Sequence, residues 1–273
     1  DLHVTEHSFP TRRSSDLLVI WPETVLPTGS NREMTNLDLS SLNEDYLRSL
    51  AAKFVGPDEA WNKKYTAEQV RNYLRGVLED GRVINDERVP SRRELAGEVY
   101  AMSARLGCPI LAGASAFYRN DKPLFRTDEW LVRNAALWMD PNDPNAPTYA
   151  KRHLVPFSEA VPFKHSWLGL HKLLRSFVPE VMEQVDPGPA NTVFPLDRPG
   201  GKWRVVSPIC YEGTISALCR KMVYADGHKR ADIIANLSND GWFVCPWTQD
   251  QTGSTEQSQH LSHYVFRAVE NRV

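Results

Sequence analysis

This chain predicts an α/β fold, and three observations carry that prediction. Short apolar runs of strand length alternate with longer stretches of helical periodicity. Several of those runs are continuously apolar, as strands are when both faces are covered. The chain has 273 residues, 41% hydrophobic and 24% charged, which is enough to bury a substantial core. Strands interleaved with helices imply helices covering a sheet. No clear linker, internal repeat or low-complexity segment divides the chain, so we read a single domain.

The first strand is expected at residues 17–21, a buried run that ends in Pro22-Glu23. A polar, helix-rich stretch follows. Leu47, Leu50, Ala51 and Phe54 share one helical face, and Val70, Tyr73, Leu74, Val77 and Leu78 share another. Leu95, Val99, Met102 and Leu106 repeat the pattern before Gly107, a helix stop. Strands are expected at 109–115 and 130–139, then a turn cluster rich in Asp, Asn and Pro at 141–147. A short helix at 168–177, a strand at 203–210, a helix at 214–224 and a buried strand at 232–237 come next. A last helix at 254–273 carries Leu261, Tyr264, Val265 and Ala268 on one side.

Composition excludes several functions. The net charge is -2 and no long basic run occurs, so nucleic acid is not a partner. The longest apolar runs fall far short of the roughly 20 residues that cross a bilayer. Cys108, Cys210, Cys219 and Cys245 form no C-x-x-C pair, which argues against a zinc ribbon or a redox motif. His260 and His263 lie three residues apart with no ligand-rich surroundings, so no metal is expected, and no cofactor is implied. Residues 8–17 read as one frame of a sequencing adapter; we set 1–17 apart from the fold and expect the natural chain to continue upstream.

Three local patterns carry chemistry, each at or just after an expected strand. Pro22 breaks the first strand and leaves Glu23 at its end, where side chains line sites in α/β folds. The run Lys151-Arg152-His153-Leu154-Val155-Pro156-Phe157-Ser158-Glu159 sets a Lys and a Glu eight residues apart across an apolar loop. In Ile209-Cys210-Tyr211-Glu212, a Cys stands at a strand-to-helix junction, where the helix dipole favours thiolate. Taken singly, each has a bland reading: a surface acid, a solvated Lys, a buried structural Cys.

Taken together, with Asn236-Leu237-Ser238-Asn239-Asp240-Gly241-Trp242-Phe243 following, they resemble the nitrilase, or carbon–nitrogen hydrolase, superfamily. The Lys-Arg-His-Leu-Val-Pro-Phe run and the Asn-Asp-Gly-Trp-Phe segment are similar to its apolipoprotein N-acyltransferase branch. Gln259-His260-Leu261 and Arg267-Ala268-Val269-Glu270-Asn271 match the helix that follows. The resemblance covers residues 18–273. It implies an α-β-β-α sandwich, here truncated at both ends, with Glu23 as general base, Lys151 as cationic partner and Cys210 as nucleophile. Glu159 matches a second essential carboxylate, expected to orient Lys151 or the base. Tyr211 and Glu212 match the residues after the nucleophile, and Asn239 and Trp242 are supporting positions. Ser158 and Ala160 depart from the family's usual Gly and Tyr. Residues 30–89 read as a helical insertion near the site entrance.

The chemistry that the resemblance implies is acyl transfer through a Cys210 thioester, with a phospholipid donor and the N-terminal amine of a lipoprotein's diacylglyceryl-cysteine as acceptor. It further implies the bacterial inner membrane, held through helices upstream of residue 17, with the catalytic domain on the periplasmic or outer face. Trp61, Trp130, Trp138, Trp167 and Trp242 are candidate interfacial anchors, with core packing the better reading for Trp138. The runner-up is a soluble amidase with the same triad and water as acceptor. An inactive binding module is a third reading, and a Cys-His protease a weaker one, since none of His153, His165, His171, His228, His260 and His263 has a recognisable dyad context.

Overall fold

A computed structural model of the chain describes residues 18–55, 65–121, 129–140, 142–143, 145–164, 166–178, 185–198, 200–240 and 255–273. Its elements are β1 (Val19–Ile20), α1 (Arg32–Thr35), α2 (Glu44–Val55), α3 (Ala67–Arg75), β2 (Arg82–Ile84), β3 (Glu87–Val89), α4 (Arg92–Leu106), β4 (Ile110–Arg119), β5 (Trp130–Met139) and β6 (Thr148–Ala150). They continue with α5 (Leu168–Arg175), β7 (Phe194–Arg198), β8 (Gly201–Val206), α6 (Ser216–Val223), β9 (Tyr224–Ala225), β10 (His228–Lys229), β11 (Ile233–Ile234) and α7 (Thr255–Asn271). The segment set apart at 1–17, together with Trp61, His165, Trp242 and Cys245, lies outside the described residues.

Two sheets form the centre. One has the order β1-β4-β5-β6 and the other β11-β8-β7. The long antiparallel pair β4 and β5 runs in register from Ile110 opposite Met139 to Arg119 opposite Trp130. Leu111, Ala136, Trp138 and Tyr149 of the first sheet meet Phe194, Leu196, Val205 and Val206 of the second in one core. The alternate residues Ile110, Ala112, Ala114, Ala135 and Leu137 face the opposite way, onto Ala96 and Val99 of α4. The period-2 geometry of a strand therefore serves two cores at once, which is why β4 and β5 read as continuous apolar runs. Leu218, Met222 and Val223 of α6 close the core beside the second sheet.

The helices end where their caps dictate. Ser91 Oγ accepts from Glu94 N, and Glu94 Oε2 accepts from Ser91 N at 2.7 Å, a capping box that starts α4. Gly107 stops it with φ +67°. Residues 30–89 hold α1, α2, α3, a π-helical turn (Gly76–Asp80) and the hairpin β2–β3. Their core residues, among them Leu47, Leu50 and Leu74, pack on Phe117, Trp130 and Val132 at the far end of β4 and β5. The stretch is thus not helical alone.

Several expectations need correction. The first strand is not buried: only Val19 and Ile20 pair, parallel to β4 at the sheet edge, and Ile20 is exposed. The strand expected at 203–210 ends at Val206, because Pro208 has no N–H to continue the ladder; Ile209 regains a single parallel bridge to Leu237. The strand at 232–237 shortens to Ile233–Ile234, paired on one side with β8. The inward face of α4 is Ala96, Val99 and Ser103, with Leu106 exposed. In α7 the expectation inverts: His260, Arg267 and Asn271 are buried, whereas Leu261 and Val265 are exposed. Trp130 is a core residue, as is Trp138, which stacks on Phe194; Trp167 alone of the three is exposed.

Candidate functional site

Glu23 follows β1 on a sharp turn, with Thr24 at φ +52°. The turn lies directly across β4 at Gly113. Gly113 N donates to Pro22 O, and a Cβ there would sit 2.6 Å from Glu23 Cα. Only glycine admits that approach. Lys151 follows β6 and is fully buried; its N–H donates to Asn134 O at 2.8 Å, so its chain is anchored to β5. Cys210 opens a tight 3-10 turn (Cys210–Thr214) with φ +49°, a conformation that costs a non-glycine residue roughly 1–2 kcal/mol.

These elements converge. The Lys151 ammonium donates to Glu159 Oε1 at 2.8 Å and stands 3.8 Å from Glu23 Oε1. Glu159 Oε2 accepts from Val155 N at 2.9 Å, which closes the loop between the two residues. Burial pushes the Lys151 ammonium down, but the charges of Glu159 and Glu23 outweigh it, so the ammonium stays above its usual range. Glu23 also accepts from Asn134 Nδ2 and from Asn239 N, the latter at 3.3 Å.

The Cys210 thiol is not pre-ionised, contrary to the dipole argument. Burial pushes it up to about 11, and the Glu23 charge adds to that; Lys151, Ser238 and the Tyr211 N–H act the other way without prevailing. A thiolate therefore arises only as its proton leaves. Of the carboxylates, Glu23 is the one whose charge raises the thiol.

Glu212 is fully buried and acts as a knot. Tyr149 donates to both its oxygens at 2.9 Å, and Arg152 N, His153 N and Ile209 N donate at 2.8, 2.9 and 3.0 Å. It ties the Cys210 turn to the chain around Lys151. The Tyr211 side chain is exposed, so its contribution on the inner side is its backbone N–H, which is directed at the Cys210 thiol. Among the described residues no group of three His, Cys, Asp or Glu side chains is placed to hold a metal.

The carbon-nitrogen hydrolase family model matches residues 11–273. The chain belongs to that family. Two sheets face to face with α4 and α6 outside them form the nitrilase-type α-β-β-α arrangement. Within the family, the chain is similar to apolipoprotein N-acyltransferase 1 of Treponema denticola, 33% identical over 150 residues, covering 54% of this chain and 24% of that protein. It is likewise similar to apolipoprotein N-acyltransferase 2 of Treponema pallidum, 33% identical over 170 residues (61% of this chain, 27% of that protein). The enzyme of the same name from Chlorobaculum tepidum is 25% identical over 241 residues, or 80% of this chain and 40% of that one. The chain thus spans well under half the length of these relatives. Among solved structures, an amidase from Nesterenkonia sp. is 15% identical with a TM-score of 0.42, covering 97% of this chain and 76% of that one. Saccharomyces cerevisiae Nit3 is 16% identical with a TM-score of 0.39, at 93% and 72% coverage.

Sequence reasoning missed two parts of this family site. Asn134 bridges Glu23 and Glu159 from the middle of β5, and its signal was a polar side chain inside an apolar strand. Tyr149, the main anchor of Glu212, left no signal, because a buried Tyr looks like any core aromatic.

Proposed function

We propose that this chain is the catalytic domain, residues 18–273, of an apolipoprotein N-acyltransferase that carries a fatty acyl group on Cys210. The carrying observation is the buried Glu23–Lys151–Glu159 cluster beside the Cys210 turn. In this reading Cys210 Sγ attacks the ester carbonyl of a phospholipid while Glu23 takes the thiol proton. The oxyanion is stabilised by Lys151 and the Tyr211 N–H. Collapse expels the lysophospholipid alkoxide, which recovers the proton from Glu23, and leaves a thioester. The α-amine of a lipoprotein's diacylglyceryl-cysteine then attacks, gives a proton to Glu23, and departs as the amide with Cys210 restored as thiol. Asn239 and Glu212 position the base and the turn; Trp242 belongs to the same segment.

The surface beside the cluster supports a lipid donor. Directly after Glu159, residues 160–179 contain no Asp or Glu. They expose Phe163, Trp167, Leu173 and Phe177 next to Lys172 and Arg175 on and around α5. An apolar face with basic neighbours suits the headgroup region of an anionic membrane. No described helix is long and apolar enough to cross a bilayer. Anchoring in the inner membrane, with this domain on its outer face, accordingly belongs to the proposal.

The test uses the full chain, a phospholipid with a labelled acyl group and a synthetic diacylglyceryl-cysteine peptide. The expected result is a hydroxylamine-sensitive label on the Cys210 peptide, followed by a labelled amide on the acceptor. Release of free fatty acid alone, or ammonia from small amides with no labelled amide on the peptide acceptor, would favour the hydrolase and end the acyltransferase reading.

A further inference from the structure

Cys210 holds a left-handed backbone conformation that a cysteine adopts only under constraint, so something must hold it there. Its N–H donates to Leu237 O at 2.6 Å. Its carbonyl accepts from the Tyr264 hydroxyl at 3.2 Å. Tyr264 comes from α7, and it reaches the turn through a gap at Gly213, where a Cβ would lie 2.2 Å from the Tyr264 ring. Behind Tyr264 stands His260, one turn earlier on the same helix and buried, whose ring nitrogens contact the Tyr264 hydroxyl. His260 Nδ1 lies 2.9 Å from Asp240 Oδ1, and Ser238 Oγ donates to the same oxygen at 2.6 Å. Asp240 closes the ring, because its neighbours Leu237 and Asn239 bond Cys210 and Glu23.

We infer that Asp240, His260 and Tyr264 form a positioning relay that holds the nucleophile turn from behind. None of the three touches the Cys210 thiol through a bond described above; they act through its carbonyl. The proton count supports a directed chain. Tyr264 has one proton to give. Given to Cys210 O, it leaves the phenol oxygen as an acceptor facing the His260 ring, which in turn stands against Asp240. This explains the inverted α7: a helix that sends His260, Tyr264, Arg267 and Asn271 inward serves the turn, with Arg267 donating toward Thr214 O at its far end.

The inference rests on Cys210 as nucleophile but not on any substrate. It is tested by the rate at which iodoacetamide alkylates Cys210 in the full chain, followed on the Cys210 peptide by mass. Tyr264→Phe removes one hydroxyl and keeps the ring; it should slow Cys210 alkylation about three- to tenfold, the size of one lost hydrogen bond. In the acyl-transfer assay the same variant should lower kcat and leave KM unchanged. Asp240→Asn should act alike, and the double variant should be no slower than either single one, as for parts of one unit. A Tyr264→Phe protein that reacts at the parent rate, or single effects that multiply in the double variant, overturns the relay. Should Tyr264→Phe not fold, His260→Gln and His260→Ala serve instead. Gln retains a donor toward Tyr264 and should react faster than Ala; equal rates for the two would also overturn it. Full activity in Cys210→Ala, by contrast, would sink the nucleophile reading itself.

Discussion

The Lys151 ammonium sits between two carboxylates, 2.8 Å from Glu159 Oε1 and 3.8 Å from Glu23 Oε1, with almost no access to water. The Glu23 charge opposes a thiolate at Cys210 and the Lys151 charge favours one, and burial tips the balance against it.

Removing the nearer carboxylate should uncouple this arrangement. In Glu159→Gln, Lys151 loses its strongest charge support and its tether to the 151–159 loop. Acyl-enzyme formation should slow about 100-fold, as when one oxyanion donor is lost. Single-turnover labelling of Cys210 measures it, and a parent-like rate would remove Glu159 from the mechanism.

If Glu23 is the proposed base, its removal should act in opposite directions on reactivity and on turnover. The Glu23 charge raises the Cys210 thiol, so Glu23→Gln should bring the thiol below about 11 and speed its alkylation at pH 9. Turnover should nevertheless fall at least about 100-fold, since the proton acceptor is gone. Alkylation that slows in Glu23→Gln would mean that Glu23 does not face the thiol.

Glu212 should matter for folding before it matters for chemistry. Glu212→Ala leaves the Tyr149 hydroxyl and three backbone N–H groups without an acceptor in a buried place. The loss should be about 3–5 kcal/mol, with Tyr149→Phe costing about 1.5–3 kcal/mol. Urea denaturation reads both; a Glu212→Ala chain as stable as the parent would contradict the knot.

Alkaline pH should destabilise the fold. Burial pushes the Cys219 thiol up to about 11 in the folded chain, above its ordinary value near 9. A group raised on folding contributes stability that is complete below its unfolded value and lost as pH rises through the folded one. Stability should therefore fall between pH 9 and 11, with Cys219 accounting for on the order of 2 kcal/mol and Cys210 adding in the same direction. Thermal midpoints across that range should flatten in Cys219→Ala; an unchanged slope would refute the assignment.

Much of the site was legible because its residues sit where strands end. Glu23 and Cys210 each follow an apolar run, and the run predicts both the strand and the exit point; Lys151 follows the three-residue β6 and was legible only through the motif that begins there. The core strands β4 and β5 were readable for the same reason, as two-faced burial leaves a continuous apolar stretch. The short strands β2, β3, β6, β7, β9 and β10 were not, because two to five residues are too few to show a period, and charges or a proline further mask β2, β3, β7 and β10.

What the sequence determined by itself was the candidate set Glu23, Lys151 and Cys210, their order and the α/β frame that presents them. The tertiary structure alone decided three things. It set the Cys210 thiol high rather than low, since burial depends on what surrounds a group and not on its neighbours in the chain. It placed Asn134, Tyr149 and Glu212 as the links between the segments of Glu23, Lys151 and Cys210, through bonds spanning tens of residues. It turned the polar side of α7 inward, because the turn at Cys210 needs hydrogen-bond partners that an apolar face cannot provide.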